Sequence, residues 1–160
     1  MSLDPPVLPE GRWAVAPTLA RLRFELLAAY PALRPAHLQT IGDADHRSRD
    51  SDHNPNDHGY VRALDVMNVD HGGPDLRRLA LFLRLVGEGN SQRLNPGGYV
   101  IYDRRKASAE SGWHWRPYRG DNPHTDHLHV SCSRKPAYYG LQHRWNVAWH
   151  LEEIRQAERR

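Results

Sequence analysis

An aspartate in the middle of an apolar strand is the strongest constraint on how this chain can fold. The segment "VRALDVMNV" (61–69) has the composition of a strand, and Asp65 lies in it among Ala63, Leu64, Val66 and Met67. A carboxylate is almost never fully buried unless it is paired or bound to a metal, because losing its water is expensive. A fold that buries this strand must therefore bring Asp65 a cation or several donors. The alternative is an edge strand that leaves Asp65 in solvent.

The matching stretch is "NPHTDHLHVS" (122–131), three histidines and an aspartate at the front of a second apolar strand. Residues two apart on a strand share a face, so His127 and His129 project together while Leu128 goes to the other side. A His-x-His strand commonly supplies a metal with two imidazoles, or with one ligand and one base. On its own the motif fits a pair of histidines satisfied in a polar cleft equally well. Upstream, "SDHNPNDHGYVRALDVMN" adds His53 and His58 to Asp65. Two imidazoles and one carboxylate from separate segments leave a fourth position open, as a hydrolytic zinc site requires.

The rest of the chain frames these strands. Its 160 residues suit one domain with a modest core, and 11 of them are histidine. Apolar residues at Leu19, Leu22, Leu26 and Ala29 give a helical period that Pro31 ends. "GGPDLRRLALFLRLVGEG" predicts a second helix, with Pro74 in its first turn, Asp75 at its positive end and a stripe of Leu76, Leu79, Leu83 and Val86. "NVAWHLEEIRQAER" predicts a closing helix, and "GGYVIYD" a further strand. This order implies an α+β domain, a small antiparallel sheet flanked by about three helices, over residues 12–160. Residues 1–11, polar and Pro-rich, are expected to be a flexible lead-in.

The lone Cys132 excludes an internal disulfide framework and a cysteine zinc cluster; in "HVSCS" it is expected to be a small buried hydrophobe. The start has neither a basic n-region nor an apolar h-region, so no signal peptide is expected, and no apolar run is long enough to span a membrane. The expectation is a protein made in the cytoplasm that reaches any target outside it through another release system. The net charge of +3 is too small to argue for nucleic acid. A monomer with no nucleic-acid partner and no membrane insertion is expected.

"SDHNPN", "ALDV" and "HTDHLHVS" together resemble the LAS zinc metallopeptidases, a group that includes lysostaphin-type enzymes, D-alanyl-D-alanine carboxypeptidases and the Hedgehog signalling domain. "TIGDADHRSRDSDHNPN" and "WHWRPYRGDNPHTDHLHVS" are similar to the VanY-like peptidase domains of actinobacterial phage endolysins. The resemblance covers about Thr40 to Ser131. It implies a Hedgehog/D,D-peptidase-like fold, one Zn2+ per chain, and hydrolysis of peptide bonds in bacterial peptidoglycan stem peptides. Carried over residue by residue, the ligands are His53, Asp65 and His129. The short family form places six residues between the first histidine and the aspartate; eleven separate His53 from Asp65, and His58 stands at the short spacing. His53 is preferred because Ser51 and the turn-forming "NPN" match the phage-type pattern, with His58 then an exposed loop residue.

The general base is either His127, as in the His-x-His form, or Asp126, which stands where the Glu-x-x-His form has its carboxylate. Alternation along the strand favours His127, with Asp126 orienting it. His124 is either a substrate contact or a turn residue. The family's arginine near the metal, which holds a substrate carboxylate or the developing oxyanion, corresponds to Arg49 or Arg47; His46 could line the same cleft. Trp113, Trp115 and Tyr118 of "SGWHWRPYRG" are a candidate substrate groove, Trp113 the contact and Trp115 the more buried of the two tryptophans.

Three other readings remain open. A zinc-bearing binding module would keep the metal without catalysis. A metal-independent phosphodiesterase would use "HRS" (46–48) and "HVS" (129–131) as paired His-x-Ser elements, leaving His53, Asp65 and His127 unexplained. An HNH-type nuclease, suggested by "DHN", lacks the ββα-metal order.

Overall fold

The computed structural model describes residues 4–41 and 50–160. Its order is β1 (Ala14–Val15), α1 (Pro17–Ala29), β2 (Leu38–Gln39), β3 (Tyr60–Val61), β4 (Ala63–Met67), α2 (Leu76–Glu88), β5 (Tyr99–Tyr102), β6 (Arg105–Ser108), β7 (Arg116–Pro117), β8 (His127–Ser131), α3 (Pro136–Tyr139) and α4 (Val147–Ala157). The fold is α+β. Six strands form an antiparallel sheet in the order β2–β4–β8–β5–β6–β7, and β1 pairs in parallel with β3 beside it. Among the described residues no helix is long and apolar enough to cross a membrane.

Strand periodicity divides the sheet into two chemically different faces. Leu64, Val66, Val100, Ala107, Leu128 and Val130 are fully buried on one face, which the helices cover. On the other face, Gln39, Asp65, His129, Ile101, Lys106 and Arg116 are successive cross-strand partners. One row of side chains thus crosses the whole sheet and carries the polar groups of its centre. β8 lies between β4 and β5, and all five of its residues are buried.

The helices form for local reasons. α1 buries Leu19, Leu22 and Leu26 on one stripe. In α2 the Asp75 side chain accepts from the Arg78 amide at 3.0 Å, capping the helix, so Pro74 lies just before the cap rather than inside the first turn. α4 buries Val147 and Leu151 and packs on both α1 and α2. The fully buried Trp145 leads into it and donates its indole N–H to the Thr18 carbonyl at 2.9 Å.

Two expectations about the periphery are corrected. Residues 4–11 are docked rather than a free lead-in: the Leu8 amide donates to the His58 carbonyl at 3.0 Å, and the Tyr60 hydroxyl donates to the Pro6 carbonyl at 2.8 Å. The segment rests on Gly59, where a Cβ would come within 2.9 Å of Leu8. Trp113 is core, 4 % exposed, and not part of a substrate groove. Its indole lies against Gly87 of α2, where a Cβ would overlap the ring, and its N–H donates to Asn95 at 3.1 Å. Trp115 is the more exposed of the two, with Arg105 stacked over its ring. Cys132 is the buried hydrophobe expected, its thiol pushed up to about 12 by burial.

The Gly87–Trp113 contact predicts a reversal of the usual helix rule. Glycine to alanine inside a helix ordinarily stabilises by up to about 1 kcal/mol. Here Gly87→Ala must displace the indole, and overpacking of that kind costs about 1–3 kcal/mol. Urea unfolding is therefore expected to show Gly87→Ala less stable than the wild type.

Candidate metal centre

The pairing of β4 with β8 sets Asp65 directly opposite His129. His53 reaches them from the loop before β3. That loop holds its shape through short-range bonds: the Ser51 hydroxyl accepts from the His53 amide at 3.2 Å, and the Asn56 side chain accepts from the His58 and Tyr60 amides at 3.0 Å each. The longer spacing between His53 and Asp65 is thus a self-bonded lobe seated on residues 4–12. His58 belongs to that lobe, half-buried rather than exposed, and away from Asp65.

The His53, Asp65 and His129 side chains converge, with one ligand atom from each lying within 4.8 Å of the others. His53 Nε2 lies 3.2 Å from Asp65 Oδ2 and 3.3 Å from His129 Nδ1, and His129 Nδ1 lies 3.0 Å from Asp65 Oδ1. Donors about 2.0–2.1 Å from a tetrahedral ion lie about 3.3 Å from one another, so the three are already at coordination spacing.

The outer partners set the direction of each ring. His53 Nδ1 lies 2.6 Å from the Thr40 carbonyl, which can only accept, so this nitrogen carries hydrogen and Nε2 faces the carboxylate. His129 Nε2 lies 2.8 Å from the Ser131 hydroxyl, leaving Nδ1 for the centre. Such outer bonds are the usual means of orienting imidazole ligands. A lone pair facing a carboxylate at 3.2 Å is repulsive unless a cation lies between them. These three residues lie close enough to bind a metal ion, and their N, N, O donor set suits one.

Without a metal, a proton takes the cation's place. Burial favours neutral His53, but the hydrogen bond and charge of Asp65 outweigh it and raise the pKa. Burial would raise the Asp65 pKa, yet hydrogen bonds with His129 and His53 hold it well below the usual carboxylate range. His129 is lowered, because burial outweighs the same carboxylate.

His127 lies at the rim. Its Nδ1 is 2.7 Å from Asp126 Oδ1, and its Nε2 is 4.0 Å from Asp65 Oδ2, on the side of the three donors. The Asp126 side chain is 76 % exposed, and its hydrogen bond to His127 lowers its pKa. His124, buried and in a left-handed backbone conformation, bonds through Nδ1 to its neighbour Asn122's carbonyl at 2.7 Å. Burial, reinforced by His127 and His129, pushes it down to about 4, so it is neutral near pH 7. Its ring centre is 4.5 Å from that of His127.

The loop carrying His124 is anchored by the β5–β6 turn, whose Asp103 and Arg104 amides donate to the His124 and Pro123 carbonyls at 2.8 Å each. The donors open into a cleft of about 500 Å³. Tyr118 of "SGWHWRPYRG" lines its wall, whereas sequence reasoning missed Tyr99, Met67 and Ile101 there. Tyr99 and Ile101 alternate on β5 onto the His129 face, which was the available signal. Arg47, Arg49 and His46 lie outside the described residues.

Comparison of the chain with protein-family models, with curated proteins and with solved structures finds no match.

Two outcomes follow for metal uptake. His53→Ala should lose bound metal, whereas His58→Ala should retain it, as read by elemental analysis after dialysis. Below the raised His53 pKa, the proton on His53 is the one a metal must displace, since Asp65 is ionised and His129 is lowered. In that range binding should release about one proton, and affinity should fall about tenfold per pH unit. Calorimetry in buffers of different ionisation heat checks both.

Proposed function

We propose that the protein is a zinc-dependent peptidase acting on peptide bonds of bacterial peptidoglycan stem peptides, of the kind found in phage endolysins and related cell-wall lytic enzymes. One observation carries this reading: His53 Nε2, Asp65 and His129 Nδ1 stand at tetrahedral spacing at the head of an open cleft, with the Nε2 of His127 beside them. Three protein donors and an open side are the arrangement of a catalytic zinc site rather than a structural one. When bound, the metal supplies Lewis acidity, lowering the pKa of water and polarising the carbonyl under attack.

The chain's own residues do the rest. His127 donates through Nδ1 to Asp126, which leaves Nε2 to take the proton of the attacking water and pass it to the leaving amine. Asp126 fixes that tautomer and faces the imidazolium as it forms. Its own exposure argues against it as the base, because the carboxylate is hydrated and engaged with His127. His124, neutral and with Nε2 free, contacts substrate from the cleft wall. Arg49, or its neighbour Arg47, is assigned the substrate carboxylate or the oxyanion by the family resemblance.

The test is digestion of purified cell walls, with the released fragments identified by mass spectrometry. Activity is expected to vanish on chelation and to return with zinc; undiminished cleavage by the metal-free protein would overturn the reading. His127→Gln should lower kcat by about 10²–10⁴-fold while zinc stays bound, the usual contribution of a general base. Asp126→Asn should cost less, because solvent screens an exposed carboxylate.

A further inference from the structure

The row of cross-strand partners that carries Asp65 and His129 does not stop at the metal centre. Past His129 it continues through Ile101 to Lys106 on β6 and Arg116 on β7. Partners in register share a face, so both cations lie on the face that holds the donors. At about 4.8 Å per strand, Lys106 starts about 10 Å from His129, and Arg116 about 14 Å.

The Lys106 ammonium leans back towards the centre. Its Nζ sits 4.2 Å from the middle of the Tyr99 ring, and Tyr99 stacks on His129 with ring centres 5.2 Å apart and planes 12° from parallel. Lys106, Tyr99 and His129 are therefore continuous. Among the described residues, neither Lys106 nor Arg116 has a carboxylate partner. The carboxylates that line the cleft are Asp50, Asp65, Asp121 and Asp126, and Lys106 and Arg116 stand beyond that lining, past Tyr99 and Ile101.

Two cations without a carboxylate partner, past Tyr99 and Ile101 and in line with a hydrolytic centre, suit an anion on an extended chain. Because an extended peptide advances about 3.3–3.6 Å per residue, that anion stands within about three residues of the bond at the metal. We propose that Lys106, backed by Tyr99 and assisted by Arg116, is a specificity-determining subsite for a substrate carboxylate. This rests on the peptidase reading for its substrate class, but the binding it predicts can be measured without turnover. The subsite selects stem peptides with a free carboxylate over their amidated counterparts, a chemical difference that a zinc centre alone does not read.

The test uses calorimetric titration into the zinc-loaded His127→Gln protein, in which cleavage is slowed. The probes are the tetrapeptide L-Ala-γ-D-Glu-L-Lys-D-Ala, its dicarboxamide, and the two singly amidated forms. Lys106→Gln is expected to weaken binding of the dicarboxylate about tenfold and to leave the dicarboxamide unchanged. Lys106→Arg should restore most of the loss, Arg116→Gln should cost less than Lys106→Gln, and Arg160→Gln should cost nothing. The singly amidated peptides identify whether the D-Glu α-carboxylate or the C-terminal D-Ala carboxylate is held. Equal losses for dicarboxylate and dicarboxamide, or no binding of the dicarboxylate with Lys106 in place, would overturn the subsite. Carboxylate binding that depends on Lys106, in a protein that never cleaves, would overturn the peptidase reading and leave the subsite standing.

Discussion

The structure turns on burying one carboxylate in a central strand. Asp65 has an apolar sheet interior on either side of it in sequence and two imidazoles facing it in space. Each group removed from water there is tolerable only because of the other two, and the three together still need a positive charge between them. That need links the strand pairing, the His53 loop and the chemistry of the cleft. The loop must return to the strand to deliver His53, and β8 must keep register to deliver His129.

Orientation is supplied from outside the centre. Thr40 contributes a backbone carbonyl and Ser131 a hydroxyl from the same strand face, and between them they turn one ring's Nε2 and the other ring's Nδ1 inward. The same device recurs at the rim, where Asp126 turns His127. A side chain cannot choose its tautomer alone, and here each choice is made by a group that is not itself a ligand. Tyr99 adds a flat surface against His129 and extends the centre along the sheet towards β6.

Parts of this were legible in the residues. The α+β class, the strands around Asp65 and His129, and the facing of His127 with His129 follow from a period of two, which survives any tertiary context. The choice between His53 and His58 has no such support, because a loop has no period; only its internal bonds show which histidine turns inward. Trp113 was misplaced for a related reason. Its neighbours suggested a groove, whereas its burial is decided by Gly87, distant in sequence and small enough to admit an indole. β6 and β7 escaped notice because "RKAS" and "RP" offer a single buried residue between them, Ala107. The same shortage of apolar residues is what leaves cations on that end of the sheet.

The direct pairing of Asp65 with His129 also has a meaning for folding. Sliding β8 by one residue against β4 would exchange the two faces of the strand, sending imidazoles into the helix-covered interior and Leu128 and Val130 into the cleft. Such a slipped molecule would lose core and centre together. A metal ion that binds only the correct alignment would then act as a proofreader of strand registration, withdrawing correctly zipped chains from a pool of near-misses. For this sheet, assembling the metal-binding group and verifying the fold would be a single event.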